Sequence, residues 1–286
     1  MVSYRFCRPD DMPLLCQAVN ECFNVHLPGT LPLTVDGLRT KVKELNVWVS
    51  NAMVATEGKE PIGIMMGTKR PEEVLIHLVG VRQDYQRRGH ARHMLTSLSQ
   101  KLAVLGPERL IAEIPLDRPE VNSLFASAGY SRAGEPLTDY QRPRTPGTPA
   151  PEGLLLPTTV AELVDQGLLQ PPSGAAWERT LQTLLNREES LQGLCIASPE
   201  QTEAFVLFRT ADPPDEVIDI LASGCRDPSR SELLLGILVG HLASIGNLPL
   251  RIPRLLPGEM DTEVLANLGF EPQAKYDRLE ATATPL

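Results

Sequence analysis

Sliding residues 235–270 against residues 95–130 at a constant offset of 140, with no gap, places Leu95, Leu98, Leu102, Ala103, Gly106, Leu110, Leu116, Ala126 and Gly129 on identical residues, and Tyr130 on Phe270. Apolar positions and glycines that recur at one offset mark a duplicated fold better than scattered matches would. The chain has 286 residues, enough for two such halves, each burying its own core. Between them, residues 143–157 carry five prolines in fifteen positions. Proline lacks the donor that a strand ladder or helix interior uses, so this stretch reads as an extended connector. The expected division is 1–142 for the first half, 143–157 for the linker and 158–286 for the second half.

Within the first half, Asp10 or Asp11 can cap a helix with the apolar face Leu14, Leu15, Ala18, Val19 and Cys22, and Thr34 can cap a second carrying Leu38, Val42 and Leu45. Strands are expected at 47–56 and 61–68, joined by a hairpin turn at Glu57, Gly58, Lys59 and Glu60, and a third at 73–81. Ala91, Met94, Leu95, Leu98, Leu102 and Leu105 then recur at helical spacing and stop at Gly106 and Pro107. A strand at 109–114, a short helix at 120–128 ending on Gly129 and a strand including 137–141 follow. Helices inserted between neighbouring strands imply an α/β layer arrangement, not a bundle or a sandwich.

Composition narrows the function classes. A formal charge of -9 disfavours general attraction to nucleic acid or an anionic membrane. It leaves room for the local basic site formed by Arg82, Arg87, Arg88, His90, Arg92 and His93. Apolar residues make up 42% of the chain but are broken by polar ones, with no apolar span of about 20. The five cysteines, at 7, 16, 22, 195 and 225, include no CxxC pair, which argues against a disulfide framework or a structural metal. The first residues lack the apolar core of a secretion signal, and a cytoplasmic location is expected.

Chemistry concentrates in residues 79–91, where a strand-like run passes through Gln86, Arg87, Arg88, Gly89, His90 and Ala91 into a helix. At a helix start the first amides have no internal acceptors and converge on an anion, which the helix dipole also favours. Gly89 lets backbone approach a phosphate because no Cβ stands in the way. A Walker site fails for want of its Gly-Lys-Ser/Thr ending, and a Rossmann site for want of its three-glycine spacing.

These residues resemble the GCN5-related N-acetyltransferase (GNAT) superfamily, whose Gln/Arg-x-x-Gly-x-Gly/Ala motif matches Gln86 to Ala91, with Val81 and Tyr85 at the usual upstream positions. The resemblance implies tandem acyl-CoA N-acyltransferase folds, each half with a mixed central sheet flanked by helices. It further implies transfer of an acetyl group from acetyl-CoA to a primary amine on a small molecule or peptide. Val79 and Val81 would contact pantetheine, Gln86, Arg87, Arg88, Gly89, His90 and Ala91 would cradle pyrophosphate, and Arg82 and Asn122 would lie close to the cofactor. His77 is the first candidate base, as the histidine on the strand leading to the loop and of one parity with Val79 and Val81; Glu73 and Glu113 are alternatives. No metal is expected. Family members often place a tyrosine four residues before the glycine ending the short helix, where this chain has Phe125. That departure keeps a noncatalytic acyl-CoA sensor or protein-interaction module as the alternative.

In the second half the gapless counterpart of Gln86 to Ala91 is Arg226, Asp227, Pro228, Ser229, Arg230 and Ser231. Pro228 removes an amide donor, Ser229 replaces the glycine, and Asp227 adds negative charge where phosphate would sit. A degenerate domain of the same fold is expected there.

Overall fold

The computed structural model describes residues 1–23, 32–144, 155–211, 216–246 and 248–285. The chain forms two compact units, one of Met1–Gly134 with Asp277–Leu286 and one of Glu135–Tyr276.

Unit 1 runs β1 (Val2–Phe6), α1 (Met12–Phe23), α2 (Val35–Leu45), β2 (Met53–Glu57), β3 (Glu60–Lys69), β4 (Glu73–Val81), α3 (His90–Leu105), β5 (Arg109–Pro115), α4 (Pro119–Ser127) and β6 (Ser131–Arg132). Its strands lie in the order β1, β2, β3, β4, β5. The first four are antiparallel neighbours, and β5 lies parallel to β4. Helices cover both faces. On one, α1 and α2 bury Leu15, Ala18, Cys22, Leu38 and Leu45 against Val54, Ile64 and Met66. On the other, α3 buries Met94, Leu95, Leu98 and Leu102 against Ile62, Met65, Val74, Ile76 and Leu110.

Local signals account for most boundaries. The Thr34 hydroxyl accepts from the Gly37 amide at 3.0 Å and starts α2 as expected. Asp11 instead closes the 3-10 turn Pro9–Asp11 before α1, accepting from the Arg8 amide at 2.7 Å while Arg5 pairs with it. The expected strand at 47–56 is interrupted. Val47 makes an isolated bridge to Thr68, the 3-10 turn Val49–Asn51 follows, and β2 begins only at Met53. The turn between β2 and β3 is the expected hairpin, with Glu57 opposite Glu60 and Gly58 at a φ of 62°.

Unit 2 contains β7 (Leu137–Arg142), β8 (Leu156–Pro157), α5 (Val160–Asp165), α6 (Leu181–Asn186), β9 (Gln192–Ala197), β10 (Thr202–Thr210), β11 (Ile218–Cys225), α7 (Ser231–Gly246), β12 (Leu250–Leu255) and α8 (Thr262–Asn267). The long last strand, β13 (Glu271–Thr282), runs through the point where the units divide. Its first residues pair with β7 inside unit 2, Glu271 opposite Gln141 and Tyr276 opposite Leu137. Its last residues pair with β6 inside unit 1, Leu279 opposite Arg132. The compact units thus differ from the halves expected at 1–142 and 158–286: the strand at 137–142 belongs to the second core and the end of the chain to the first. Alternating apolar residues specify a strand but not its partner, and a proline run shows where a chain is extended, not which core the strand before it completes. Most of the expected linker, 145–154, lies outside the described residues, and its last two positions form β8 against β9.

Burial pushes the thiols of Cys7 and Cys22 up to about 11, so they stay protonated at neutral pH. Cys16 and Cys195 are also buried, and Cys225 is only half-buried. A thiol reagent added to the folded protein is expected to modify one cysteine rapidly. Intact mass should show a single adduct, lost in Cys225→Ser; equal labelling of Cys7 or Cys22 would contradict the tight packing around α1. No described helix is long and apolar enough to cross a membrane.

Candidate functional site

β4 and β5 lie side by side for only three residue pairs, Glu73 with Arg109, Val74 with Leu110 and Leu75 with Ile111. β4 continues to Val81 and β5 to Pro115, so beyond that short ladder the two parallel strands separate. The edge of β4 from Ile76 onward therefore offers backbone donors and acceptors to a groove, where a chain rich in amides could pair.

His77 stands at this opening. Met66 lies opposite Leu78 and Gly67 opposite Ile76, which makes His77 the extra residue of a β-bulge. It is exposed, whereas Val74, Leu75 and Ile76 just before it are buried. Ile76, Val79 and Val81 pack toward α3, while Leu78 packs toward α1, so the alternation slips at His77. Parity with Val79 and Val81 does not place this side chain; the bulge does.

The loop after β4 gathers backbone amides at the start of a helix. The Gln86 side-chain amide donates to the Val81 carbonyl at 3.0 Å, tying the loop to the strand end. Arg87 and Gly89 take left-handed backbone angles, φ 59° and 83°. Left-handed residues alternating along the chain turn successive amides inward as a nest. α3 starts immediately after Gly89, and the bond from the His93 amide to the Gly89 carbonyl, 2.9 Å, opens its ladder. The amides of the turn before it have no carbonyl above them in the helix. A Cβ built on Gly89 would meet no protein atom within 4 Å, so the glycine serves the backbone angle and leaves open space in front of it.

Tyr85 organises the cations around the nest. Arg82 lies over its ring at 4.8 Å and Arg88 at 5.2 Å, and its hydroxyl donates to Glu57 at 2.5 Å. Arg82 also pairs with Glu60 at 3.3 Å, so the β2–β3 hairpin clamps the loop through both carboxylates. His90 hydrogen-bonds through Nδ1 to the Tyr4 hydroxyl at 2.5 Å, which turns its ring toward β1. Tyr4 comes from β1 and Glu57 from the hairpin turn, and nothing in the local sequence of either ties it to this loop.

The remaining candidates separate. Glu73 sits at the paired end of β4 and faces three arginines: Arg109 at 3.2 Å, Arg70 at 3.6 Å and Arg278 at 3.8 Å. Glu113 lies two residues beyond the last β5 pair and is half-buried. Leu110, Ala112 and Ile114 pack toward α3, so Glu113 points to the opposite face. Burial lowers the Arg70 guanidinium to about 10, against the opposing pull of Glu73 and Glu113. Asn122 donates to the carbonyls of Arg118 at 3.3 Å and Pro115 at 3.5 Å, closing the turn after β5. Phe125 is 1% exposed and stacks edge-on against Tyr130 at 5.0 Å. The Tyr130 hydroxyl is buried without a hydrogen-bond partner, and burial raises its pKa, so it holds its proton.

Residues 19–130 match the family model described as the acetyltransferase (GNAT) family. A tandem GNAT protein from the clavulanic acid biosynthesis pathway superposes with a TM-score of 0.67 at 14% identity, over 100% of both chains. A GCN5-related N-acetyltransferase from Sphaerobacter thermophilus superposes at 0.65 and 15% identity, over 99% of this chain and 96% of that one. Another from Kribbella flavida gives 0.60 and 14%, over 98% of this chain and 70% of that one. At these identities the likeness is one of fold. No curated protein matches the chain in sequence.

Proposed function

We propose, for a chain with the tandem GNAT fold whose residues 19–130 match the GNAT acetyltransferase family, that unit 1 transfers an acetyl group from acetyl-CoA to a primary amine. Family and fold support acyl-CoA-dependent N-acyltransferase activity. The observation that carries the reading is the separation of β4 from β5 after three pairs, with a backbone nest at the far end of β4. That opening fits an acyl-CoA: free strand backbone for the amides of its arm, then converging amides for its pyrophosphate.

When bound, acetyl-CoA supplies an acyl group already activated as a thioester. The backbone of Val79 and Val81 aligns the pantetheine, and the amides of Arg87 to Ala91 hold the pyrophosphate with Arg82 and Arg88 at its rim, while Gln86, its own amide on the Gln83 carbonyl and its side chain on Val81, braces the loop. His77, exposed at the bulge, takes the proton of the attacking amine as the C–N bond forms and the C–S bond breaks. Glu113, half-buried on β5, orients the amine in this reading. Glu73 is left out of this assignment because its carboxylate holds three arginines. Phe125 has no proton to give, so the departing sulfur is protonated from solvent. The same residue favours the competing reading, an acyl-CoA sensor without turnover.

Calorimetry should find one acetyl-CoA site per chain; no binding overturns the reading. Release of free CoA with a panel of small amines and peptides should then separate the enzyme from the sensor. His77→Gln is expected to lower kcat by about 10²–10⁴-fold while leaving acetyl-CoA affinity within about twofold. Unchanged turnover would remove His77 from the mechanism.

A further inference from the structure

We infer that the acyl-CoA groove of unit 2 is already filled by the protein itself, with Arg179 standing in the place of the pantetheine and the Asp227 carboxylate in that of the pyrophosphate. The inference rests on the reading of unit 1 for what such a groove holds.

β11 and β12 repeat the separation of β4 and β5: they pair at Ile218 with Leu250 and at Asp219 with Arg251, and then part. The 3-10 turn Trp177–Arg179 packs against β11. Ala176, Trp177 and Arg179 are 0%, 1% and 2% exposed. Arg179 Nη1 donates to the carbonyl of Ile220, the first residue of β11 beyond the ladder, at 3.0 Å. Its Nε donates to Glu259 Oε1 at 3.1 Å, and Glu259 Oε2 accepts from the Leu256 amide, just after β12, at 3.3 Å. One guanidinium thus joins the two diverging strands, satisfying a carbonyl of the kind an amide-rich ligand would otherwise meet.

The phosphate end is closed as well. Eight residues, 82–89, connect β4 to α3, but only five, 226–230, connect β11 to α7. The shorter loop has no glycine, and the Asp227 carboxylate accepts from the Ser229 amide at 3.0 Å and its hydroxyl at 2.7 Å. A fixed negative charge occupies the head of the helix, where an incoming phosphate would be repelled. The bulge persists but its chemistry does not: Leu207 lies opposite Ala222 and Phe208 opposite Ile220, so the extra residue is Leu221, 1% exposed in an apolar cluster with Val160, Leu163 and Leu184.

Hydrogen exchange on the intact protein, with and without saturating acetyl-CoA, tests this. Peptides covering 76–92 should gain protection and those covering 218–231 should not change. Protection gained at 218–231 overturns the inference and leaves the unit 1 reading standing; no gain at 76–92 defeats the unit 1 reading. A ligand-free arm uses Arg179→Met with Glu259→Leu, which removes both charges so that neither is buried alone. Amides of 220–225 should then exchange at least tenfold faster with those of 76–81 unchanged. Identical exchange at 220–225 would show that Arg179 does not fill the groove.

Discussion

Deleting residues 277–286 is expected to unfold unit 1 and abolish acetyl-CoA binding, although the segment removed follows Gly134 by more than 140 positions. Leu279 and Ala283 are 4% and 6% exposed in the core beneath α3. The strand end holds β6 and the start of β5 through the Ala133 amide on the Arg278 carbonyl, 2.8 Å, and the Ala283 amide on the Glu108 carbonyl, 2.6 Å. Arg109 reaches Glu280 at 2.5 Å, and Arg278 reaches Glu73 at 3.8 Å. Burying one leucine contributes about 2 kcal/mol and each ladder bond about 1 kcal/mol, so losing the strand takes away a large share of the roughly 5–15 kcal/mol that holds a domain. The exposed edge of β5 would then invite aggregation. Calorimetric unfolding of the truncated chain should lack the transition of unit 1, and a synthetic peptide of residues 271–286 should restore part of it. Leu279→Ala is the milder probe, expected to cost about 2–4 kcal/mol. A truncated chain that melts and binds like the full one would mean that this strand end contributes nothing to the fold of unit 1.

The same strand shows what the sequence could and could not say. Hairpin, helix and loop in unit 1 were legible because each depends on neighbours in sequence: Thr34 on Gly37, Glu57 on Glu60, Gly89 on the helix it starts. Pairing between distant strands leaves no such mark, so 137–142 reads with the first half while its backbone falls in the second compact unit. The bulge at His77 was also invisible, because an extra residue in one strand is defined only by its partner β3. The gapless slide hid a further step. Val74 faces Leu110 and Ile218 faces Leu250, so β4 corresponds to β11 at an offset of 144 while β5 corresponds to β12, like the helices before them, at 140. The residues lost come out of the loop between strand and helix, eight residues in unit 1 and five in unit 2, a more drastic change than the loss of a glycine. Arg179 gave no signal, since a lone arginine is ordinarily a surface residue and only the fold buries it.

Gly89→Asp is expected to weaken acetyl-CoA binding by at least about 100-fold while leaving the fold intact. The two effects separate because of where the residue sits. Apart from its chain neighbours no protein atom lies within 4 Å of the new Cβ, and aspartate is among the few non-glycine residues that visit the left-handed region, which limits the cost of a φ of 83°. Unfolding free energy should therefore move by no more than about 1 kcal/mol. The ligand meets a different situation: a carboxylate about 4 Å from a phosphate repels it by about 4 kcal/mol at an effective dielectric near 20, and the side chain fills space the pyrophosphate needs. Gly89→Ala divides strain from charge. It meets the same left-handed backbone without the charge, and should lose about tenfold or less. Raising ionic strength should narrow the gap between the aspartate and alanine variants, since screening acts on the charge and not on the backbone angle. Equal affinity in all three proteins would remove the nest from the binding site. The expected ranking, with Asp far below Ala, would make unit 2 understandable from unit 1: one acidic side chain at the head of the helix is enough to refuse the ligand, and Asp227 supplies it there.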